Sequence, residues 1–334
     1  MTSTNKPSTR HVLTDADLSR ATRLALLRTA FSAKHEGRLA AARPLAGRHA
    51  AIVMAKPSLR TRVSFTVAVH RLGGHTIEVG AHNTKLGKGE ALEEWAAVLG
   101  RMVDLVVARV HAQAELDALA AHAQVPVVNA LSDLWHPCQG LADAMTVWEA
   151  ARLAGRPHAH DPAAFFEQPH RWAYVGDGNN VLHSLLWTAA DLGVEIRAAC
   201  PAGFEPDPAV VEAARSHHPR GAGGVVLLHD PREAVEGAEV VYTDTWISMG
   251  EESSKRPEDI EAVFAPYRVD AALLARAAEG AIFLHCLPAT PGVECTTEVL
   301  RGPASRVLDQ AENRLWTAMA LLSDVVFDAQ GGLP

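Results

Sequence analysis

Eight short apolar runs rich in β-branched residues recur along this chain, at 50–54, 103–108, 125–128, 172–175, 194–200, 225–228, 240–242 and 281–284. Each has the length of a strand. The stretches between them, including 63–72, 92–102, 116–122, 141–153, 182–192 and 271–278, carry apolar residues at the 3.6-residue period of a helix. Strand alternating with helix specifies parallel sheets with helices on both faces, because neighbouring parallel strands must be joined by a crossover. A segment rich in Gly, Pro and His at 154–170 interrupts this rhythm. The expected fold is therefore α/β, with two doubly wound parallel-sheet domains spanning 1–150 and 151–310. At 334 residues the chain can bury two cores. A last helical stretch, 311–327, follows the final strand.

Composition excludes several classes of function. Lys and Arg number 31 against 39 Asp and Glu, a net charge of -8. No general affinity for nucleic acid or anionic membrane is expected, and an anionic ligand would have to be met by a few local arginines. The four cysteines show no C-x-x-C spacing, the first ten residues lack the apolar core of a signal peptide, and no apolar run approaches a membrane span. A cytoplasmic protein is expected. Seventeen histidines include no H-E-x-x-H, and His217-His218 reads as solvated surface, so no metal site is expected. Walker A and G-x-S-x-G patterns are also absent.

In doubly wound sheets, ligands sit beyond the carboxyl ends of strands, where helix N-termini offer free N–H groups. Five strand-end segments carry unusual polar residues. In the first, Lys56-Pro57-Ser58-Leu59-Arg60-Thr61-Arg62, Ser58 suits an N-cap. Two arginines in the following turn oppose the helix dipole, which favours acids there, so either an anion or nearby carboxylates must neutralise them. The second segment, Asp133 to Gln139, brings His136 and Gln139 together at a helix start, where both can donate to a carbonyl oxygen or His136 can simply cap. The third, Gly176-Asp177-Gly178-Asn179-Asn180, lacks the last glycine of a dinucleotide fingerprint because Val181 stands there. Its asparagines suit a small polar ligand or a turn. Asp244-Thr245-Trp246-Ile247-Ser248-Met249-Gly250 offers an acid that can capture an amine, and His285-Cys286-Leu287-Pro288 places a thiol at a strand end, either reactive or buried and inert.

Taken in order, Ser58-Leu59-Arg60-Thr61-Arg62, His136-Pro137-Cys138-Gln139, Asp244 to Gly250, His285-Cys286-Leu287-Pro288 and Glu312-Asn313-Arg314 resemble the aspartate/ornithine carbamoyltransferase family over nearly the whole chain. The resemblance implies carbamoyl transfer from carbamoyl phosphate to the side-chain amine of L-ornithine, giving L-citrulline and phosphate, as a step of arginine metabolism. No metal or organic cofactor is expected. The first domain would bind carbamoyl phosphate, the second would bind ornithine, residues 311–334 would pack back on the first, and the active site would lie in the cleft between the two. By motif match, Ser58, Leu59, Arg60 and Thr61 hold the phosphate, and Arg109, His136 and Gln139 polarise the carbamoyl oxygen. Cys286, Leu287 and Arg314 lie near the reacting centre, while Asn180, Asp244, Ser248 and Met249 hold ornithine. Arg109, His136, Gln139, Cys286 and Arg314 form the expected catalytic set. Another acceptor, such as putrescine or an acylated ornithine, and a non-catalytic regulatory relative are the alternatives. A homotrimer, or a multiple of one, is also implied, with the loop around 85–90 entering a neighbour's site. Three departures from the family pattern stand out: Leu59 replaces a common Thr, no His-Arg follows Pro288, and Glu94 stands where Asp is usual.

Overall fold

A computed structural model describes residues 9–80, 91–246 and 257–328. The chain divides into one unit of residues 1–138 and 314–334 and a second of residues 139–313. Each is built on a parallel sheet.

In the first unit, β1 (His49–Met54), β2 (His75–Gly80), β3 (Leu105–Arg109) and β4 (Val127–Leu131) are ordered β2-β1-β3-β4. All pairings are parallel. The central strands are the driest: Ile52, Val106 and Val107 are fully buried, each contributing on the order of 1.5–3 kcal/mol of transfer free energy. The sequence reading missed β2. Its His-Thr-Ile-Glu-Val-Gly pattern belongs to an edge strand whose residues are all exposed or half-buried, so it lacks the apolar run that marks the others.

The second unit orders β5 (Arg171–Val175), β6 (Glu195–Ala199), β7 (Val225–Leu228), β8 (Val240–Tyr242) and β9 (Ile282–Leu284) as β7-β6-β5-β8-β9, again all parallel. The helix expected over 271–278 covers only Ala271–Leu274, because the Ala278 N–H turns away to the Ala238 carbonyl.

These orders show where an open parallel sheet can accept a ligand. The strand sequence reverses direction between β1 and β3 in the first unit and between β5 and β8 in the second, which opens a crevice at the carboxyl ends of those strands. Lys56 to Arg62 follows β1, and Arg109 ends β3. Likewise Gly176 to Asn180 follows β5, and Asp244 lies just past β8. Among the described residues no helix is long and apolar enough to cross a membrane.

Candidate active site

Ser58 caps the Leu59–Arg71 helix, its Oγ accepting from the Thr61 N–H at 3.4 Å and contacting Thr61 Oγ1 at 3.2 Å. Arg62 of this turn forms an ion pair with Glu78 on β2 at 2.8 Å, and that hydrogen-bonded carboxylate raises the Arg62 pKa. Arg60, Ser58 and Thr61 share the turn with its N–H groups, a set of a kind that suits an anion. Leu59, which replaces a hydroxyl-bearing residue, is 74% exposed.

Beside β1, Met54 pairs with Arg109 in register, and the Arg109 carbonyl accepts the Ala55 N–H at 2.8 Å. Arg109, His136 and Arg314 are all buried. Arg314 Nη1 donates to His136 Nε2 at 3.2 Å. Burial, followed by the charges of Arg314 and Arg109, holds the imidazole pKa well below its usual value. The ring is thus neutral, and because Nε2 accepts, its proton resides on Nδ1. Arg109 Nε, His136 Nδ1 and Arg314 Nη2 make no hydrogen bond, although each residue has other partners. Two buried guanidiniums and a neutral N–H donor form a corner suited to an acyl phosphate, meeting both its phosphate and its carbonyl. Cys138 is not reactive here: its thiol donates to the Asn129 carbonyl at 3.2 Å, and burial pushes its pKa up to about 12.

In the second unit, Gly176 has φ +143°, and a Cβ at Gly178 would lie 2.2 Å from the Pro206 nitrogen. Close chain packing thus explains these glycines without a dinucleotide. Asn179 caps the Asn180–Leu192 helix, its Oδ1 accepting from the Val181 and Leu182 N–H groups. Its Nδ2 donates to Asp244 Oδ2 at 2.9 Å, and Cys286 Sγ donates to Asp244 Oδ1 at 3.0 Å. Asp244 is buried, and among the described residues no cation pairs with it. A carboxylate in such a place is costly unless a cation arrives to meet it. Burial, with Asp244 among the further causes, pushes the neighbouring Tyr174 and Tyr242 hydroxyls well above the usual phenol range, so both stay neutral donors.

Gln139 lies in the first turn of the Pro137–Leu153 helix. Its Nε2 donates to Asp143 Oδ1 at 2.8 Å, a partner the sequence reading did not name although the two lie one helical turn apart. Asn180 occupies the first turn of its helix, half-buried. Leu287 has φ +58°, and its N–H donates to His285 Nδ1 at 2.9 Å. Ser248, Met249 and the 85–90 loop lie outside the described residues.

A cation site must also be tested. The ligand atoms of Asp244, His285 and Cys286 lie within 4.8 Å of one another. His285 Nδ1 is spent on the Leu287 N–H, and its Nε2 donates to the buried Glu294 Oε1 at 3.1 Å. Two donors remain, which does not fit a structural metal site. Of the two histidines expected at the surface, His217 is exposed, stacked on Trp187 with centroids 4.8 Å apart and in contact with Asp191 at 2.9 Å. His218 instead is buried, its Nε2 donating to the Val194 carbonyl, a contact across 24 residues that the sequence does not show.

With this geometry in hand, the likeness to known proteins is extensive. The aspartate/ornithine carbamoyltransferase carbamoyl-phosphate-binding domain matches residues 10–149, and the Asp/Orn-binding domain of the same family matches residues 169–325. An ornithine carbamoyltransferase of Acidothermus cellulolyticus is 47% identical over 97% of this chain and 98% of its own, and one of a Parafrankia species is 45% identical with the same coverage. The solved ornithine carbamoyltransferase of Pyrococcus furiosus superposes with a TM-score of 0.85 at 40% identity, covering 95% of this chain and 97% of that one. The chain belongs to the aspartate/ornithine carbamoyltransferase family. Its residues therefore have a known class of chemistry to perform.

Proposed function

We infer that the protein is an ornithine carbamoyltransferase, moving the carbamoyl group from carbamoyl phosphate to the side-chain amine of L-ornithine to give L-citrulline and phosphate. The observation that carries this reading is Asp244: a buried carboxylate, held by Cys286 and Asn179, that no described cation neutralises. An amino-acid acceptor bearing a second carboxylate would be repelled there, whereas the α-ammonium of ornithine is attracted.

Ser58, Leu59, Arg60 and Thr61 hold the phosphate through N–H groups, hydroxyls and the guanidinium. Arg109, Arg314 and the Nδ1–H of His136 meet charge that grows on the carbamoyl oxygen as carbon becomes tetrahedral. A neutral His136 with Nε2 already accepting acts as a hydrogen-bond donor, not as a base. Gln139, its amide oriented by Asp143, contacts the carbamoyl group. The ornithine side-chain amine resembles that of Lys, with a pKa of roughly 10, so it attacks only after losing a proton. With that first proton released to solvent, the lone pair bonds to the carbamoyl carbon, the carbon–oxygen bond to phosphate breaks, and the second proton, shed by the nitrogen as the new bond forms, passes to the departing phosphate. Asp244 anchors the α-ammonium, with Cys286, Leu287, Asn180, Ser248 and Met249 around the substrate.

The enzyme is cytoplasmic in this reading, which the four unpaired cysteines support. It assembles as a homotrimer or a multiple of one. Supporting this, β2 is an edge strand with Ile77 exposed, and Leu59 and Val63 on the Leu59–Arg71 helix are also exposed apolar residues. The deciding experiment is citrulline formation from carbamoyl phosphate and ornithine, with putrescine and aspartate as rival acceptors. Preference for putrescine would replace the substrate, and no turnover with any acceptor would leave only a binding protein.

A further inference from the structure

A buried hydrogen-bonded path runs through the second unit from Gln139 to Cys286. Gln139 Nε2 donates to Asp143 Oδ1 at 2.8 Å, and the same oxygen accepts Gln310 Nε2 at 2.7 Å from the Val307–Asp328 helix. Gln310 Nε2 also reaches the Tyr242 hydroxyl at 3.0 Å, and Gln310 Oε1 accepts the His285 backbone N–H at 2.9 Å. His285 precedes Cys286, whose thiol donates to Asp244. Gln139, Asp143, Tyr242, His285 and Gln310 are each no more than 1% exposed.

The path has only one sense. Rotating the Gln310 amide by half a turn would set its oxygen against the Asp143 carboxylate and its NH2 against the His285 N–H, two repulsive contacts in place of two bonds. The same logic fixes the Gln139 amide, because a carboxylate can only accept. Burying a carboxylate costs more than an apolar pair that would join the same elements. What the carboxylate adds is direction.

We propose that Asp143 and Gln310 are positioning residues for carbamoyl transfer: Asp143 aims the Gln139 amide, and Gln310 fixes the strand-end backbone that carries Cys286. The proposal rests on the functional reading above, which gives Gln139 and Cys286 their places in the reaction. Neither positioning residue touches substrate, so each acts through the geometry of another.

Two measurements separate aim from simple stability: kcat and the two KM values in citrulline formation, and the rate at which iodoacetamide alkylates Cys286, the one cysteine of the four that is not buried. Gln310→Met, which keeps the side-chain length and removes all three bonds, should lower kcat at least about tenfold with the KM for carbamoyl phosphate changed less than about threefold. Cys286 alkylation should change at least about fivefold in the same variant, as its backbone loses its anchor. Asp143→Leu should lose at least about tenfold in kcat, while Asp143→Asn, which still offers an acceptor oxygen, should recover to within about threefold of the parent enzyme. Folded Gln310→Met and Asp143→Leu with unchanged kcat and alkylation would overturn the proposal. Should both apolar variants fail to fold, Asp143→Asn decides, since a loss beyond about tenfold would mean that charge and not aim matters. A parent enzyme that makes no citrulline, yet whose Cys286 alkylation responds to Gln310→Met, would sink the functional reading and leave the path supported.

Discussion

Replacing His136 by Ala tests the charge logic of the phosphate corner most directly. The imidazole is buried beside two guanidiniums, accepts from Arg314 Nη1 at 3.2 Å, and carries its proton on Nδ1. Loss of one such donor to a developing oxyanion typically costs about 10²- to 10³-fold in kcat, or about 2.7–4 kcal/mol of barrier. Stability should fall as well, by about 1–3 kcal/mol, because Arg314 loses an acceptor in a dry place. The pH dependence separates the two effects. A histidine whose native pKa lies below its unfolded value takes up protons more readily when unfolded, so it makes stability rise with pH. That contribution acts below the unfolded value of 6.5, down to the lowered native pKa, and is absent above. His136→Ala should therefore flatten the acid-side slope of stability in urea titrations between those limits. Its kcat deficit, by contrast, should stay constant as pH rises through 6.5, because the native ring is already neutral there. A variant that turns over within about threefold of the parent would remove His136 from the reaction. Parent activity that falls as pH rises through 6.5, with that fall missing in the variant, would show an imidazolium at work and refute the tautomer assigned here.

The remaining expectations divide between the two substrates and the assembly. By titration calorimetry, Arg60→Ala should weaken carbamoyl phosphate binding at least about a hundredfold, whereas Arg62→Ala should change it less than about threefold, since Glu78 already holds that guanidinium; equal losses would move the cradle elsewhere. Asp244→Asn should raise the KM for ornithine at least about a hundredfold and that for carbamoyl phosphate only a few fold, and equal effects on both would break the division of labour. Mixing inactive Arg60→Ala chains with inactive chains carrying Lys88→Ala and Glu90→Ala should regenerate activity if subunits share sites in a closed ring. A monomeric mass in sedimentation, or no recovered activity after reassembly, would reject that assembly.

The sequence made the alternation of strand and helix legible, because eight of the nine described strands carry an apolar run. It hid β2, whose half-exposed edge position carries polar residues, and with β2 went Glu78, the partner that settles Arg62. Strand-end position could be read for Asp244 and Cys286, whereas Arg109 came only from the resemblance. The partners that orient them could not, because Gln310 lies 167 residues from Asp143, and Arg314 lies 178 residues from His136. Pattern reads local periods, while these contacts join segments far apart in the chain within each unit.

What the structure adds is a balance of charge that no motif expresses. In the first unit, Arg109 and Arg314 are buried around a histidine that cannot share their charge, because neutral is its stable form. Asp244 in the second unit is a buried anion whose two partners are a thiol and an amide, both uncharged. The arrangement at Asp244 is expensive by itself and becomes favourable when a cation enters. In the proposed reading ornithine brings that cation as its ammonium, while carbamoyl phosphate, a dianion, binds beside the guanidiniums. Binding of either should consequently raise the unfolding temperature, by an amount that grows with ligand concentration. Asp244→Asn should remove the ornithine-dependent rise and keep the one caused by carbamoyl phosphate. If the variant instead retains the full ornithine response, the buried carboxylate is not the group that receives the amine.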